Sequence, residues 1–149
     1  GEIDLTPLLR RALSMGKKCY LPVLSPLYHN RLWFAPYDTH SSLSLNRFSI
    51  PEPECNYNQM RTVRSLDLVL TPLVAFDSLG NRLGMGGGFY DRTLAYLRHR
   101  QHWRKPTLLG TAHAFQQVKQ LPCESWDIPL QGVVTENGLL YSGQEKARY

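Results

Sequence analysis

A dense glycine cluster constrains the fold of this chain more than any other feature of its sequence. Five glycines fall within nine residues: Gly80, Gly84, Gly86, Gly87 and Gly88. Glycine is costly to order because it has the most freedom in the unfolded chain, so such a cluster needs a physical reason. An apolar run at residues 66–70 predicts a buried strand before it, and apolar spacing over 89–99 predicts a helix after it. Loops in this position, with bare backbone N–H groups, are typical of phosphate sites.

The same loop admits a second interpretation, as a mobile turn or hinge. It matches neither the GxGxxG pattern of dinucleotide-binding proteins nor the GxxxxGK[ST] pattern of P-loops. Arg82 lies inside the loop, where a guanidinium could pair with phosphate in a forked geometry. The phosphate site and the turn therefore both stay open at this point.

Three polar residues near the predicted strand and helix ends also have two interpretations each. Asp91 at the start of the predicted helix could cap backbone donors or hold a magnesium ion beside a phosphate. Asp127 is more simply a turn residue before the last strands. His113 follows a predicted strand, as a partly buried structural histidine or as a base or phosphate contact. The chain has no GxSxG nucleophile elbow and no Cys–His spacing that indicates a catalytic thiol.

The order strand, glycine loop, helix, strand predicts an α/β fold with a parallel sheet and helices on both faces. The second strand of this unit is predicted at 107–111, after Pro106. Folds of this class bind ligands at the carboxyl ends of their strands. The other predicted elements are a helix capped by Thr6 and ended by Gly16, strands at 19–24 and 31–35, a surface loop at 51–58, a short helix at 115–121, a hairpin of 132–135 with 139–142, and a frayed tail at 144–149.

Length and charge narrow the function classes. The 149 residues predict a single domain that buries a real core. The net charge of +5 permits an anionic ligand, but the basic residues are dispersed, which argues against nucleic acid as a partner. No apolar run reaches the ~20 residues of a membrane-spanning helix, so no membrane association is predicted. Three widely spaced cysteines and the lack of a signal-peptide pattern indicate a cytoplasmic protein.

The run LDLVLTPLVAFDSLGNRLGMGGGFYDR, residues 66–92, resembles the signature of the 5-formyltetrahydrofolate cyclo-ligase family. The family pattern is a strand of the type DLVIVPGLAFD followed by GxRLGxGxGYYDR. Phe89 stands where the family commonly has Tyr. Shorter matches at 2–6, 21–22, 50–53 and 121–136 extend the resemblance over nearly the whole chain.

The resemblance implies a three-layer α/β/α fold with a mainly parallel sheet, related to the sugar-phosphate isomerase and CoA-transferase group. It implies one cyclo-ligase domain over residues 1–149 that lacks the family's N-terminal helix and first strand. In the family that helix carries Lys and Arg residues that reach the nucleotide phosphates. A chain without it is therefore expected to be weak or inactive, unless the segment was cleaved from a longer protein.

The resemblance also implies an activity, which is the MgATP-dependent conversion of 5-formyltetrahydrofolate to 5,10-methenyltetrahydrofolate. The products besides methenyltetrahydrofolate are ADP and phosphate, and an N5-iminium phosphate is the implied intermediate. The implied cofactors are ATP and Mg²⁺, and the implied partner is a small folate, with or without a polyglutamate tail. No oligomeric state is predicted.

The family's functional residues carry over position by position. Arg82, Tyr90 and Asp91 are the implied catalytic residues, and Asp91 and Asp127 are the implied magnesium ligands. The implied nucleotide contacts are Arg82, Gly84, Gly86, Gly87, Gly88 and Phe89. The implied folate contacts are Glu2, which would hold the pterin edge, Phe48, Met85 and Phe89.

Two other functions stay open beside the cyclo-ligase. One is an isomerase or hydrolase of the related fold that acts on a sugar phosphate and needs no ATP. The other is a non-catalytic folate- or nucleotide-binding protein, which the absence of the N-terminal basic residues makes plausible.

Overall fold

The computed structural model describes residues 2–99 and 105–143, so the predicted tail at 144–149 lies outside the described residues. The chain divides into two compact units. Residues 4–65 form the hairpin unit. Residues 2–3, 66–99 and 105–143 are the described part of the second unit, here called the sheet unit. A single cyclo-ligase domain over 1–149 remains a prediction.

The hairpin unit begins with helix α1 (Thr6–Ser14), close to its predicted position. Pro7 lies in its first turn, where a missing N–H costs nothing. Asp4 rather than Thr6 supplies the polar side chain at this end, since its Oδ1 accepts the Thr6 N–H at 2.9 Å. Gly16, with a φ of 77°, follows the helix and reverses the chain.

Two small antiparallel pairs follow in the hairpin unit. Strand β1 (Cys19–Leu24) pairs with β2 (Leu32–Tyr37), and the two strands lie at or close to the positions predicted, 19–24 and 31–35. Strand β3 (Leu43–Leu45) pairs with β4 (Pro51–Pro53), so the prediction of a loop at 51–58 is wrong for its first residues. Prolines argued against a strand there because they donate no ladder bond, yet a strand this short at a sheet edge tolerates one at each end.

The sheet unit holds six strands and one α-helix among its described residues. They are β5 (Leu68–Pro72), β6 (Ala75–Phe76), β7 (Arg82–Leu83), α2 (Phe89–Thr93), β8 (Thr107–Thr111), β9 (Gly132–Thr135) and β10 (Gly138–Tyr141). Its main sheet has the order β10-β9-β8-β5, in which β5, β8 and β9 are parallel and β10 is antiparallel to β9. The predicted α/β class with a mainly parallel sheet is confirmed.

The core of the sheet unit is formed by side chains of its strands and of the segments that pack against them. Val69, Leu108 and Val133 are almost inaccessible to solvent. A Cβ at Gly110 in β8 would lie 2.7 Å from both Leu130 Cδ1 and Leu73 Cδ2. Real Cβ atoms do not approach other atoms so closely, so a side chain at this position would force the two buried leucine side chains to shift.

The two helices predicted in this unit are shorter than expected. Helix α2 ends at Thr93 and continues as a 3₁₀ helix over Ala95–His99. The predicted helix at 115–121 shrinks to a 3₁₀ turn over Ala114–Gln116, because the next backbone donor, the Val118 N–H, bonds to Phe76 O instead. Spacings of three between apolar residues fit a 3₁₀ helix as well as an α-helix, so the pattern could not separate the two.

The three parallel strands bring their carboxyl ends to one edge of the sheet. β5 ends at Pro72, β8 at Thr111 and β9 at Thr135. His113 lies just beyond the end of β8, and Glu136 directly follows β9. This edge is where α/β sheets present ligand sites. Within residues 2–99 and 105–143, no helix has the length and apolar character that crossing a membrane requires.

Candidate functional site

The hairpin β6–β7 attaches the glycine loop to the carboxyl end of β5. The Val74 N–H donates to Leu83 O at 2.7 Å. Asp77, only 3% exposed, organises the turn of this hairpin. Its carboxylate accepts four hydrogen bonds, from the backbone N–H groups of Leu79, Asn81 and Leu121 and from Asn81 Nδ2. Burial raises the pKa of Asp77, but these bonds outweigh burial, and the pKa falls below its ordinary value.

The glycine loop at residues 84–88 presents its backbone to solvent. Met85 is 81% exposed, and the two glycines after it are exposed as well. Gly86 and Gly88 adopt φ values of 93° and 69°, which side-chain-bearing residues rarely take. In the described part of the chain, no hydrogen bond is donated by the backbone N–H of any residue from 84 to 88. The loop therefore offers a row of open donors, as an anion requires.

Arg92 fixes the far end of the glycine loop. Its Nη2 donates to the Gly87 carbonyl oxygen, and its guanidinium carbon lies 5.6 Å from the centre of the Phe89 ring. Its backbone N–H donates to Gly88 O at 3.0 Å, which starts α2. A Cβ at Gly88 would lie 2.9 Å from Arg92 Nη1, so a side chain there would displace the arginine from this position. Sequence reasoning gave Arg92 no such role.

Arg82 and Asp91 form an ion pair at the base of the loop. Arg82 Nη2 lies 2.8 Å from Asp91 Oδ1, with the arginine side chain 6% exposed and the aspartate 29% exposed. Arg82 Nε is buried and has no hydrogen-bond partner in the described part of the chain. A buried donor without a partner is costly, and a bound acceptor would remove that cost.

Tyr90 joins this pair on the sheet unit. The Arg82 guanidinium carbon lies 5.9 Å from the centre of the Tyr90 ring. Desolvation raises the pKa of Tyr90 to about 12; Arg82 opposes that rise and the negative charge of Glu2 adds to it. Tyr90 is therefore a neutral hydroxyl at physiological pH. Glu2, the implied pterin contact, acts on Tyr90 electrostatically, so the fold brings it toward the same cluster.

Among residues 2–99 and 105–143, the hydrogen bonds of Asp127 are local and none involves Asp91. Asp127 Oδ2 accepts the Glu124 N–H at 2.8 Å, and its own N–H donates to Glu124 O at 3.1 Å. These bonds make it a turn residue, as the residues alone indicated. No three His, Cys, Asp or Glu side chains of the described chain are grouped to hold a metal.

Asp91 nevertheless has the chemistry of a magnesium ligand. Its Oδ1 is used by Arg82, whereas its Oδ2 has no hydrogen-bond partner in the described part of the chain. Mg²⁺ prefers oxygen ligands and is commonly held by one or two carboxylates together with substrate phosphates and water. One open carboxylate oxygen beside a loop of open backbone donors fits that mode of binding.

Phe48 belongs to the hairpin unit. It is 51% exposed, and the Arg47 guanidinium carbon lies 4.9 Å from the centre of its ring. An exposed aromatic side chain of this kind is compatible with the predicted role as a wall for a flat ligand.

Gln116 is a structural residue of the site edge that sequence reasoning missed. Its Nε2 donates at 3.0 Å to the carbonyl oxygens of Leu73 and Val74, and its Oε1 accepts the His113 N–H at 2.7 Å. It therefore ties the end of β8 to the end of β5. The available signal was its place three residues after His113, the spacing of a capping box.

Glu136, directly after β9, forms a hydrogen bond at the same carboxyl edge of the sheet. It accepts the Ala114 N–H at 2.9 Å, and hydrogen bonds from its own N–H and from Ala114 lower its pKa. The His113 ring stacks on Phe115 with 5.4 Å between ring centres. His113 therefore begins a structural turn.

The chain is therefore an α/β protein with a mainly parallel sheet, at whose carboxyl edge lies a glycine loop with open backbone donors. Residues 1–136 match the family model described as the 5-formyltetrahydrofolate cyclo-ligase family, and the chain belongs to that family. The resemblance seen in residues 66–92 is thus confirmed. The prediction that the chain is a cyclo-ligase enzyme is confirmed with it.

Curated relatives agree with this assignment. The chain is 48% identical over 137 residues to the 5-formyltetrahydrofolate cyclo-ligase of Escherichia coli K12, which covers 91% of this chain and 72% of the relative. It is 44% identical over 132 residues to the Haemophilus influenzae protein of the same name, covering 87% of this chain and 67% of the relative.

Solved structures show the same fold. The Aquifex aeolicus 5,10-methenyltetrahydrofolate synthetase superposes with a TM-score of 0.74 at 33% identity, covering 96% of this chain and 67% of that one. A second synthetase, from Mycoplasma pneumoniae, superposes with a TM-score of 0.56 at 22% identity, covering 89% of this chain and 65% of that one. That likeness concerns the fold.

Proposed function

We propose that this chain converts 5-formyltetrahydrofolate to 5,10-methenyltetrahydrofolate in a reaction that consumes MgATP and releases ADP and phosphate. The names of its relatives give the reaction class. The observation that carries the ATP requirement is the exposed loop at 84–88, whose backbone N–H groups are open beside the buried Arg82.

The chemistry needs activation because a formamide oxygen is a poor leaving group. In the proposed sequence the formyl oxygen attacks the γ-phosphorus of ATP, and the bond from phosphorus to the ADP oxygen breaks. The N10 nitrogen then attacks the formyl carbon of the N5-iminium phosphate. The carbon–oxygen bond breaks, phosphate leaves and N10 loses its proton. Such a reaction requires positioning and charge stabilisation rather than a protein nucleophile.

The loop would supply that stabilisation. The backbone N–H groups of Gly84, Gly86, Gly87 and Gly88 are donors already free of internal partners, and Arg82 has a buried Nε that an acceptor would satisfy. Met85 and Phe89 border the loop, Met85 as its most exposed side chain, and are proposed to contact the formyl group.

Asp91 is the proposed magnesium ligand, since one of its carboxylate oxygens is open. The metal would neutralise charge on the transferred phosphate when bound. Asp127 remains a proposed second ligand, for which its turn bonds would leave Oδ1. Tyr90, neutral because its pKa is about 12, is proposed to donate a hydrogen bond and not to act as a base.

Glu2 and Phe48 are the proposed folate contacts. A carboxylate can accept two hydrogen bonds from an aminopyrimidinone edge, and an exposed ring can stack on a flat heterocycle. The electrostatic effect of Glu2 on Tyr90 supports its place near the loop. Phe48 is proposed from its type and exposure.

The test is to mix the purified full-length protein with 5-formyltetrahydrofolate and MgATP and follow the methenyl absorbance together with ADP release. We expect one ADP per product and no product without ATP. The variant Asp91→Asn should lose turnover, whereas the exposed control Lys18→Gln should keep it. Tight binding of both substrates without product would instead identify a binding protein. ATP-independent turnover of a sugar phosphate would identify an isomerase-like enzyme.

A further inference from the structure

A polar cavity lies entirely within the hairpin unit. It has a volume of about 300 Å³ and is lined by residues 24–31, the segment that joins β1 to β2, together with Arg47. That volume is at the lower end of small-molecule sites. None of its lining residues belongs to the site proposed for the reaction.

The loop that forms this cavity is ordered by its own hydrogen bonds. The Ser25 N–H donates to Arg31 O at 2.9 Å, which closes the turn. Ser25 Oγ accepts the N–H groups of Leu27 and Tyr28 at 3.2 and 3.0 Å. Asn30 has a φ of 58°, a conformation that asparagine tolerates better than most residues. The cavity wall is therefore preorganised and is not a loose loop.

Two guanidinium groups line the cavity, and each has an aromatic ring against its face. Arg31 Cζ lies 5.4 Å from the centre of the Tyr28 ring, and Arg47 Cζ lies 4.9 Å from that of Phe48. A ring on the face holds the group in place but leaves the N–H edge in the guanidinium plane for an oxyanion.

No carboxylate of the described chain forms an ion pair with either arginine. The lining contains no Asp or Glu, and His29 adds a further basic group. A nearby carboxylate, Glu52, accepts at its Oε1 the Leu24 N–H at 2.7 Å and Asn46 Nδ2 at 2.9 Å. The lining itself therefore contributes two arginine charges and no carboxylate, and the nearby carboxylate, Glu52, is directed at the Leu24 N–H and Asn46 rather than at an arginine.

We propose that this cavity binds a compact oxyanion of two or more negative charges, a carboxylate pair or a phosphate, between Arg31 and Arg47. Two sources share this chemistry. One is a polycarboxylate chain of the γ-linked oligoglutamate type. The other is free phosphate.

Isothermal titration of the full-length protein at constant ionic strength, without ATP, tests the proposal. The probes are a γ-linked triglutamate peptide and inorganic phosphate. At least one should bind with a 1:1 stoichiometry and a Kd of about 1 mM or less. Binding of the peptide alone would indicate a polycarboxylate ligand, and binding of phosphate alone would indicate a phosphate ligand.

The variants Arg31→Gln and Arg47→Gln should each weaken that binding about tenfold or more, because each removes charge-assisted hydrogen bonds. Lys18→Gln, which removes an exposed charge from the same unit, should change it less than about twofold. Arg31→Lys keeps the charge without the planar fork, so its loss of binding should lie between that of Arg31→Gln and that of Lys18→Gln. Binding of neither probe, or equal losses in Lys18→Gln, would overturn the proposal. Because no turnover is measured, failure here leaves the cyclo-ligase assignment intact.

Discussion

At the scale of single residues, the site combines buried charge with open backbone. Arg82 is almost inaccessible, yet one of its nitrogens lacks a partner in the described chain, while the neighbouring loop amides face solvent. Sequence reasoning could select Arg82 and Asp91 from the motif. It could not show that they pair with each other, because nothing in a linear pattern gives the distance between two side chains.

Replacing Arg82 should therefore affect chemistry more than folding. We expect Arg82→Gln to lower kcat by about 100-fold or more, the usual effect of removing one preorganised donor from a developing negative charge. Arg82→Lys should recover part of the rate, since it keeps the charge without the fork. Steady-state kinetics with thermal melting of each variant measures this. Full activity of Arg82→Gln would contradict the role.

Asp77 leads to a prediction about stability and pH. Its hydrogen bonds lower its pKa below the ordinary value of 3.8, so the stability it contributes is present above the unfolded pKa. That stability is lost as pH falls through the folded pKa, and the free energy of unfolding therefore decreases with falling pH below about 4.

We expect Asp77→Ala to cost about 1–3 kcal/mol at neutral pH because it leaves buried donors unpaired. The difference from wild type should narrow as pH falls below about 4. Urea unfolding at several pH values measures this. The exposed turn residue Asp38 provides a control, since Asp38→Ala should cost less, with water replacing its hydrogen bonds. A pH-independent difference would contradict the linkage.

At the scale of elements, the strands were more predictable than the helices. Strand β8 could be predicted because Pro106 and an apolar run delimit it, and the hairpin of β9 and β10 because Asn137 and Gly138 mark its turn. The predicted helix at 89–99 is α-helical only over its first residues. The Thr93 hydroxyl bonds back to Phe89 O at 2.6 Å, a local competitor of helix geometry that a spacing rule does not weigh.

The close contact at Gly110 makes β8 sensitive to one methyl group. Gly110→Ala should destabilise the protein by about 1–3 kcal/mol, because its Cβ would overlap two leucine side chains. Gly143→Ala is a useful control, since open space surrounds Gly143 and only its φ of 67° opposes a side chain, at a cost of roughly 1–2 kcal/mol. Chemical denaturation measures both, and Gly110→Ala should also perturb the NMR signals of Leu73 and Leu130. Unchanged stability would refute the packing argument.

At the scale of the whole molecule, family membership says more about the function than the fold does. The α/β class was predictable from the order of strand, loop and helix, but one sheet supports many activities, and the family was identified from the run at 66–92. The metal ligands were harder to predict from the sequence, because Asp91 and Asp127 lie far apart in the chain and a linear pattern does not give the distance between them.

Binding of nucleotide should be visible as protection of the glycine loop. We expect hydrogen exchange of the backbone amides at 84–88 to slow when MgATP is added, because these donors are open in the free chain. Thermal stability should rise as well, by about 2.7 kcal/mol at a ligand concentration 100 times Kd. MgATP that raises stability without protecting these amides would place the nucleotide elsewhere.

The link from Arg92 to the Gly87 carbonyl has a consequence for the direction of the next amide. In a trans peptide the C=O and the following N–H point in opposite directions across one rigid plane. By donating a hydrogen bond to this oxygen, Arg92 opposes rotation of the peptide plane. Such a rotation would put the carbonyl oxygen in place of the N–H donor where the triphosphate is proposed to lie. Peptide planes in a glycine-rich loop rotate easily, because glycine has no side chain to oppose the change. The hydrogen bond from Arg92 therefore keeps the Gly88 N–H pointing in one direction.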